Sequence, residues 1–352
     1  INRFGFVEKD LDIQFMRRCF QLAEKGLGNT APNPLVGAVI VYQNTIIGEG
    51  YHKKYGQSHA EPNAIKSVKN KHLLSDSTLY VNLEPCNHFG NTPPCADLIV
   101  ENKFKRVVIA NTDPNPKVNG SGIQKLKDAG IKITTGVLEL EGNRLNRRFF
   151  IAQTKKRPYI ILKWAQSSNG FIDALDDSPL QISNSRNQQL VHNWRSQEDG
   201  ILVGAQTFIK DAPSLNTRHI HGKSPTPILL VTKDTELNFT LWRDTRKLLV
   251  IAPTKPAALP KNAIWIGLKP ILADTISELL KFNINSILIE GGSKTHQYFI
   301  DENLWDELRV SKSKMTIKTG IKAASWGQQT ASFETVQNDN VVNYFFNNRQ
   351  DQ

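Results

Sequence analysis

Two short strings in this chain of 352 residues carry side chains suited to metal chemistry. The first is His59-Ala60-Glu61, and the second begins at Glu84-Pro85-Cys86 and ends at Cys95. One imidazole and two thiolates form a good ligand set for zinc, because the two thiolates balance the double charge of the ion. Three protein ligands leave the fourth tetrahedral position open. The sequence therefore predicts one open zinc site per chain, held by His59, Cys86 and Cys95.

Glu61 stands two residues after the predicted histidine ligand, near the start of the same predicted helix. Zinc nucleobase deaminases use a non-ligand glutamate in this way, as the acid and base that moves protons between water, ring and leaving ammonia. Zinc lowers the pKa of a bound water to about 7, so that hydroxide is available at neutral pH. We therefore expect Glu61 to be catalytic.

A closed zinc site that only stabilises the fold is the alternative. Such a site needs a fourth protein ligand, and His88 is a candidate although it lies only two residues from Cys86. The presence of Glu61 favours the open, catalytic site. Eight residues separate the two cysteines, whereas the usual deaminase signature has two residues between them.

The elements that must hold these residues alternate between helices and strands, which predicts an α/β fold. In the first half we expect helices at 12–26, 60–69, 94–102, 123–129 and 139–150, and strands at 35–42, 45–50, 78–83, 106–111 and 131–135. In the second half we expect strands at 159–165, 200–204, 227–231, 247–251, 286–289 and 307–311, and helices at 185–195, 271–282 and 295–302. The predicted domains are 1–152 and 158–352, with a linker at 153–157.

Length and composition are those of a globular protein of two domains, with 39% hydrophobic and 22% charged residues. The net charge of +11 is spread along the chain, which indicates either a basic surface that keeps the protein soluble or attraction of anionic ligands such as phosphates. We find no nucleic-acid-binding motif and expect no nucleic-acid partner.

The longest apolar run, 35–42, is much shorter than the ~20 residues of a membrane helix. Three cysteines do not indicate a disulfide framework. We expect a cytoplasmic protein without membrane contact.

The long spacing between the cysteines is informative together with the residues that fill it and with four other strings. The string 85–95 resembles the loop of the bifunctional riboflavin-biosynthesis deaminase-reductase family, as do 32–39, 50–52, 59–61 and 113–116, in the family's order and spacing. The resemblance implies a cytidine-deaminase-like three-layer α/β/α domain. It implies hydrolysis of the C2 amine of a diaminopyrimidinone that bears a phosphoribosylamino group. By position, the expected substrate-binding residues are Asn33, His52, His88, Asp113 and Asn115.

The second half lacks the Gly-x-Gly-x-x-Gly fingerprint of dinucleotide-binding folds. Instead, strand 286–289 runs into Glu290-Gly291-Gly292-Ser293 before a predicted helix, a turn that offers backbone N–H groups to a phosphate. The strings 161–167, 194–196, 201–204, 211–215, 289–292 and 306–310 resemble the reductase domain of the same family. The resemblance implies a dihydrofolate-reductase-like fold that reduces a ribosyl group to ribityl with hydride from NADPH.

The same resemblance assigns residues of the reductase site. Arg195 and Arg218 are expected to bind the substrate phosphate, because a guanidinium matches its oxygens. The full set expected at the substrate is Lys163, Arg195, Asp211, Leu215, Arg218 and Glu290. The set expected at the cofactor is Ala165, Gly204, Gly291, Gly292 and Ser293. The proton donor and the preference for NADPH over NADH stay open at this point.

Four positions depart from the family pattern: Asn91 replaces a cation expected near the phosphate, Asn63 replaces a frequent His at a variable position, and Asn169 and Asn216 replace Asp and Thr. Two other hypotheses are a tRNA-directed zinc deaminase with an accessory domain, and a deaminase with a decayed reductase module used for oligomerisation. We expect a homo-oligomer, either dimer or tetramer.

Overall fold

The computed structural model describes residues 3–89, 93–116, 118–175, 180–233, 235–242, 244–327, 333–337 and 340–347, with side chains from residue 9 onward except at 241, 333, 336 and 337. The chain divides into two compact units, Ile1–Lys155 and Lys156–Gln352, which are described separately below. Among the helices described, none has the length and apolar character needed to cross a membrane.

The described part of the first unit is built on a five-stranded sheet of order β2-β1-β3-β4-β5. Its strands are β1 (Gly37–Tyr42), β2 (Thr45–Tyr51), β3 (Thr78–Leu83), β4 (Arg106–Asn111) and β5 (Lys132–Thr135). Its helices are α1 (Arg3–Glu24), α2 (Ala60–Ser67), α3 (Cys95–Glu101), α4 (Ser121–Asp128), α5 (Glu139–Leu145) and α6 (Arg147–Thr154), with a 3₁₀ helix at Lys71–Asp76. Strand β1 is antiparallel to both neighbours, whereas β3, β4 and β5 are parallel.

Alternate residues of the strands face two different hydrophobic layers. Val39 and Val41 pack with Met16 of α1, while Ala38 and Ile40 pack with Ala64 of α2 and with residues of α3 and α4. This alternation follows from the two-residue period of a strand, which sends successive side chains to opposite faces. The predicted three-layer α/β arrangement is confirmed.

Most element boundaries of the first unit lie within two residues of the sequence-based expectation, and two larger differences stand out. Helix α1 begins at Arg3 rather than at residue 12, and the single helix expected over 139–150 is broken into α5 and α6 at Asn146. The side chain of Asn146 is buried, and its amide oxygen accepts from the backbone N–H of Leu35 while its amide nitrogen donates to the Leu35 carbonyl. This tertiary pairing occupies the backbone of Leu35, and β1 starts two residues later, at Gly37.

The described part of the second unit contains a nine-stranded sheet of order β11-β10-β9-β8-β12-β6-β13-β16-β15. Its strands are β6 (Tyr159–Gln166), β8 (Gly200–Gly204), β9 (Thr226–Leu230), β10 (Leu248–Ala252), β11 (Ala263–Gly267), β12 (Ser286–Ile289), β13 (Glu307–Lys312), β15 (Phe333–Gln337) and β16 (Asn340–Phe346). A separate pair is formed by β7 (Phe171–Ala174) and β14 (Gly320–Lys322). Its helices are α7 (Ser185–Gln197), α8 (Ala205–Asp211), α9 (Leu272–Ser277) and α10 (Ser293–Asp301), with 3₁₀ helices at Phe239–Leu241 and Glu278–Phe282.

The central strands of this sheet are parallel, and their register positions the candidate site. Ile289 of β12 pairs with Leu162 on one side and with Leu202 on the other. Because parallel strands end at the same edge of a sheet, Glu290 follows beside Lys163 and close to Gly204. The edge formed by the carboxyl ends of β6, β8 and β12 therefore gathers residues from distant parts of the sequence.

Several elements of the second unit were not predicted from the sequence. They are β7, β11, β14, β15, β16 and α8, and the helix expected over 271–282 is α-helical only to Ser277 before it tightens into a 3₁₀ helix. Strands β7 and β14 have four and three residues, too few to show a clear alternation of apolar and polar side chains.

A buried ion pair holds α1 against the sheet of the first unit. Both oxygens of Asp12 accept hydrogen bonds from the guanidinium of Arg106, at 2.8 and 2.6 Å, and one also accepts from the Tyr80 hydroxyl. We predict that Asp12→Asn lowers the free energy of unfolding by roughly 3 kcal/mol, because it leaves a buried cation without its counter-ion. Chemical denaturation measures this loss.

The matched control for this prediction is Glu49→Gln. Glu49 also accepts a two-pronged hydrogen bond from an arginine, Arg18, but about a third of each side chain is exposed. Loss of this exposed ion pair should lower the free energy of unfolding by less than about 1 kcal/mol. Equal losses for the two variants would contradict the account.

Candidate active sites

The three predicted metal ligands of the first unit meet at one point. His59 immediately precedes α2, Cys95 opens α3, and Cys86 lies just beyond β3. Nδ1 of His59 is 3.6 Å from Sγ of Cys86 and 3.4 Å from Sγ of Cys95, and the three ligand atoms all lie within 4.8 Å of one another. Tetrahedral zinc with normal bond lengths separates nitrogen and sulfur ligands by about 3.5 Å. The residues therefore fit a zinc ion.

The electrostatics of this cluster favour thiolate, the form of cysteine that binds metals, at Cys86, whereas the hydrogen bond to Cys86 and burial raise the pKa of the Cys95 thiol. The backbone N–H of Cys95 donates to Sγ of Cys86 at 3.3 Å. Hydrogen bonding from the Cys95 thiol and, against the opposing effect of burial, from His59 lowers the pKa of the Cys86 thiol to about 4.

Glu61 lies on the first turn of α2 and is 3% exposed. Burial raises the pKa of its carboxyl, and the nearby sulfur of Cys86 acts in the same direction. A buried carboxyl beside the ligand cluster is well placed to exchange protons. In the part of the chain that the structure describes, the metal-binding group consists of His59, Cys86 and Cys95 without His88, which favours the open site over the closed alternative.

A cavity of about 290 Å³ opens beside this cluster. It is lined by two of the ligands and Glu61, together with all five residues that the sequence placed at the substrate: Asn33, His52, His88, Asp113 and Asn115. Tyr55, Gln57, Glu84 and Phe149 also line it and were not predicted. The structure thus brings the predicted deaminase residues into one site.

His52 orients the amide of Asn33. Nδ1 of His52 lies 3.1 Å from the carbonyl oxygen of Ser58, which can only accept, so Nδ1 carries the proton. Nε2 of His52 then accepts from Nδ2 of Asn33 at 3.1 Å. Burial lowers the pKa of His52, which keeps the ring neutral as this pairing requires. Asn33 is thereby left with its amide oxygen, an acceptor, for a ligand.

Lys163, Arg195 and Glu290 form the charged group at the sheet edge of the second unit. Nε and Nη2 of Arg195 donate to the two carboxylate oxygens of Glu290 at 2.8 and 2.7 Å. Burial alone would raise the pKa of Glu290, but the charges of Arg195 and Lys163 outweigh it and bring the pKa to about 2. Burial lowers the pKa of Lys163. Glu290 is therefore a carboxylate throughout the neutral range.

Other predicted residues of the reductase site are more dispersed. Arg218 is exposed and its Nη1 donates to the amide oxygen of Asn216 at 3.3 Å, while the carbonyl of Asn216 accepts from Arg195. Asp211 ends α8 and is exposed, and Leu215 is buried. Ala165 lies on β6, opposite Ser311 of β13.

Two of the positions that depart from the family pattern can be placed as follows. The side-chain amide of Asn169 donates to the carbonyl of Ile317 and accepts from its backbone N–H, whereas Asn91 lies outside the described residues.

Glycines allow the turns after β8 and β12 to pack closely. A Cβ on Gly291 would lie 2.7 Å from the Val203 Cα, and one on Gly204 would lie 2.2 Å from the Thr295 hydroxyl oxygen. Gly292 has φ +56° and precedes Ser293, the first residue of α10, and no side chain caps that helix. A backbone-lined surface at a helix N-terminus suits a phosphate-bearing cofactor.

The two units therefore combine a zinc-deaminase site with an α/β unit of reductase type, and family models match each half. Residues 9–111 match the cytidine and deoxycytidylate deaminase zinc-binding region, and residues 158–313 match the RibD C-terminal domain. The chain is 37% identical to the riboflavin biosynthesis protein RibD of Aquifex aeolicus over 91% of both chains.

Solved structures agree with these matches. RibD of Acinetobacter baumannii superposes with a TM-score of 0.89 at 31% identity, covering 96% of this chain and 99% of that one. A diaminohydroxyphosphoribosylaminopyrimidine deaminase/5-amino-6-(5-phosphoribosylamino)uracil reductase from Thermotoga maritima gives 0.86 at 32% identity, with the same coverage. The chain belongs to the RibD family of riboflavin biosynthesis proteins. It is a bifunctional deaminase and reductase, and its cofactors are zinc and NADPH.

His192 was not predicted, although its spacing from Arg195 on a helix places both on one face. The ring is buried, its Nδ1 accepts from the backbone N–H of Arg218 at 3.2 Å, and the His219 ring packs on it edge to face. Burial, aided by the charges of Arg195, His219 and Arg218, lowers the pKa of His192 to about 4. A neutral His192 thus holds the backbone of Arg218.

This arrangement predicts a pH-dependent stability of the second unit. The folded-state pKa of His192 is below the unfolded value of about 6.5, so its contribution is complete above about pH 6.5 and is lost as the pH falls toward 4. His192→Asn replaces Nδ1 by an amide oxygen that does not titrate. The melting temperature of the variant should therefore fall less steeply than that of the wild type between pH 6.5 and 4. Parallel curves would contradict the assignment.

Proposed function

We propose that the first unit hydrolyses 2,5-diamino-6-(5-phosphoribosylamino)pyrimidin-4-one to the corresponding 5-aminouracil, and that the second unit reduces the ribosyl group of that product to ribityl. The observation that carries the proposal is the cavity shared by the zinc-ligand cluster, Glu61 and the five expected substrate residues. The Thermotoga maritima relative is named for the same two reactions.

In the deaminase site, His59, Cys86 and Cys95 would hold zinc, which supplies a Lewis acid that makes water nucleophilic near neutral pH. Glu61 takes one proton from the attacking water and gives it to the ring nitrogen, and it then carries the second proton of that water to the departing amine, which leaves as ammonia. Asn33, fixed by His52, offers its amide oxygen to a donor on the pyrimidine edge. His88, Asp113 and Asn115 contribute the other polar groups of the cavity wall.

In the reductase site, NADPH supplies the hydride, and Gly204, Gly291, Gly292, Ser293 and Ala165 would lie against it. Glu290, kept ionised by Arg195 and Lys163, accepts hydrogen bonds from the sugar hydroxyls. Arg218, with its exposed guanidinium, binds the phosphate. Arg195 serves the same phosphate in addition to orienting Glu290. Asp211 and Leu215 complete the substrate side, on the strength of the family resemblance.

The proposed setting follows from the chemistry of the ligands. A phosphorylated pyrimidine and a nicotinamide cofactor support a cytoplasmic enzyme that acts on a small substrate rather than on a nucleic acid. A homo-oligomer, dimer or tetramer, stays a prediction.

The decisive experiment incubates the purified protein with the diaminopyrimidinone phosphate, with and without NADPH, and identifies the products by mass. We predict release of ammonia without NADPH and a further gain of two hydrogens with it. A protein that releases ammonia but never adds hydrogen would contradict the reductase proposal alone. A protein that leaves the substrate unchanged would refute the deaminase proposal.

Glu61→Gln tests the assigned acid and base within the same assay. The variant should retain zinc, because Glu61 is not a ligand, while ammonia release falls by about 10²–10⁴-fold. Reduction of the separately supplied aminouracil substrate should be unchanged and serves as an internal control for folding. A zinc-loaded variant that deaminates at the wild-type rate would refute the role.

A further inference from the structure

Glu84 gathers an unusual number of backbone partners. It directly follows β3 and is 4% exposed. One carboxylate oxygen accepts from the N–H groups of Asp113 at 3.2 Å and Gly120 at 2.9 Å, and the other accepts from Gly122 at 3.0 Å and Ile123 at 3.2 Å. One side chain thus satisfies four backbone donors.

These donors belong to the loop after β4 and to the first turn of α4. N–H groups in a first helical turn have no partner within the helix, and the positive end of the helix dipole favours a carboxylate there. The backbone N–H of Glu84 itself donates to the carbonyl of Asn111 at 2.9 Å, which extends the pairing of β3 with β4 by one step. Glu84 therefore ties the end of β3 to the loop that follows the neighbouring strand.

Both segments joined by Glu84 belong to the deaminase site. Cys86 lies two residues further along the chain, and Asp113 and Asn115 line the cavity. Asp113 and Asn115 are also bonded to each other, because a carboxylate oxygen of Asp113 accepts from the backbone N–H of Asn115 at 2.8 Å. A movement of Glu84 would therefore be passed to two residues of the cavity wall.

Close packing makes this connection rigid. A Cβ on Gly122 would lie only 2.0 Å from the carbonyl oxygen of Pro85 and 3.3 Å from the nearer carboxylate oxygen of Glu84. The start of α4 therefore rests directly on the turn that carries Cys86. Only a glycine allows this approach.

We infer that Glu84 is a positioning residue of the deaminase site, which sets the distance between the metal-ligand turn at Cys86 and the wall formed by Asp113 and Asn115. The inference rests on the proposed deamination. This positioning role requires a carboxylate. The side-chain NH₂ of a glutamine at this position would face two of the four backbone N–H groups, which would then have no acceptor.

The test compares Glu84→Gln with Asp12→Asn, because Asp12 is a similarly buried acid of the same unit that is not among the residues lining the cavity. With Glu84→Gln the KM for deamination should rise about tenfold, which is the effect of a misplaced contact, while kcat changes less. Zinc should stay at one per chain, and reduction of the separately supplied aminouracil substrate should be unchanged. Asp12→Asn should lower stability with an unchanged KM.

An unchanged KM for Glu84→Gln, an equal KM shift in both variants, or a rate loss accounted for by lost zinc would overturn the inference. A second measurement does not depend on the variant folding. Hydrogen exchange of the wild-type protein should show protected amides at Asp113, Gly120, Gly122 and Ile123, and rapid exchange of all four would overturn the inference. If the wild type released no ammonia, the proposed function would fail, whereas the exchange data would still test the bonding of Glu84.

Discussion

The meeting of one imidazole nitrogen and two sulfurs within 4.8 Å is the constraint on which the first unit depends. Each ligand comes from the start of a helix or the end of a strand: His59 before α2, Cys95 at the start of α3 and Cys86 after β3. The three-layer packing fixes these ends relative to one another, because α2 and α3 cover the same face of the sheet. Glu61 reaches the same point because it is two residues beyond His59. The chemistry is thus a consequence of how the helices rest on the sheet.

Buried charge in the second unit is balanced in a different way. Glu290 is kept ionised by protein groups, because Arg195 donates hydrogen bonds to both of its carboxylate oxygens and the charge of Lys163 acts in the same direction. A group of buried charges is costly unless each charge is paired. Removing one of these three side chains would therefore leave an uncompensated buried ion. The glycines at Gly204 and Gly291 leave the neighbouring strand ends bare of side chains. The proposed substrate contacts and the proposed cofactor surface therefore share one sheet edge.

The sequence was sufficient for the ligand types and for the main alternation of helices and strands. Residue chemistry alone indicated zinc at His59, Cys86 and Cys95, and the family resemblance supplied the substrate side of the cavity. The sequence was not sufficient where a long-range partner decides the outcome. Asn146 interrupts a helix because of Leu35, which is 111 positions away in the chain. The acceptor role of Glu84 has no local signal except that a charged residue closes a buried, apolar strand.

Pairings between charged residues were equally out of reach. The resemblance placed both Arg195 and Arg218 at a phosphate, but it did not indicate that the guanidinium of Arg195 also bonds to Glu290, 95 positions away. No local pattern in the sequence indicates that the ring nitrogen of His192 accepts from the backbone of Arg218. Local patterns predict which residues are polar and near a strand end, and tertiary packing decides which of them pair.

X-ray absorption at the zinc edge of the purified protein tests the open metal site most directly. The account predicts two sulfur ligands at about 2.3 Å and two lighter ligands at about 2.0 Å, of which only one carries the outer-shell signature of an imidazole ring. A second imidazole, a different number of sulfurs or a coordination sphere filled by protein alone would contradict it.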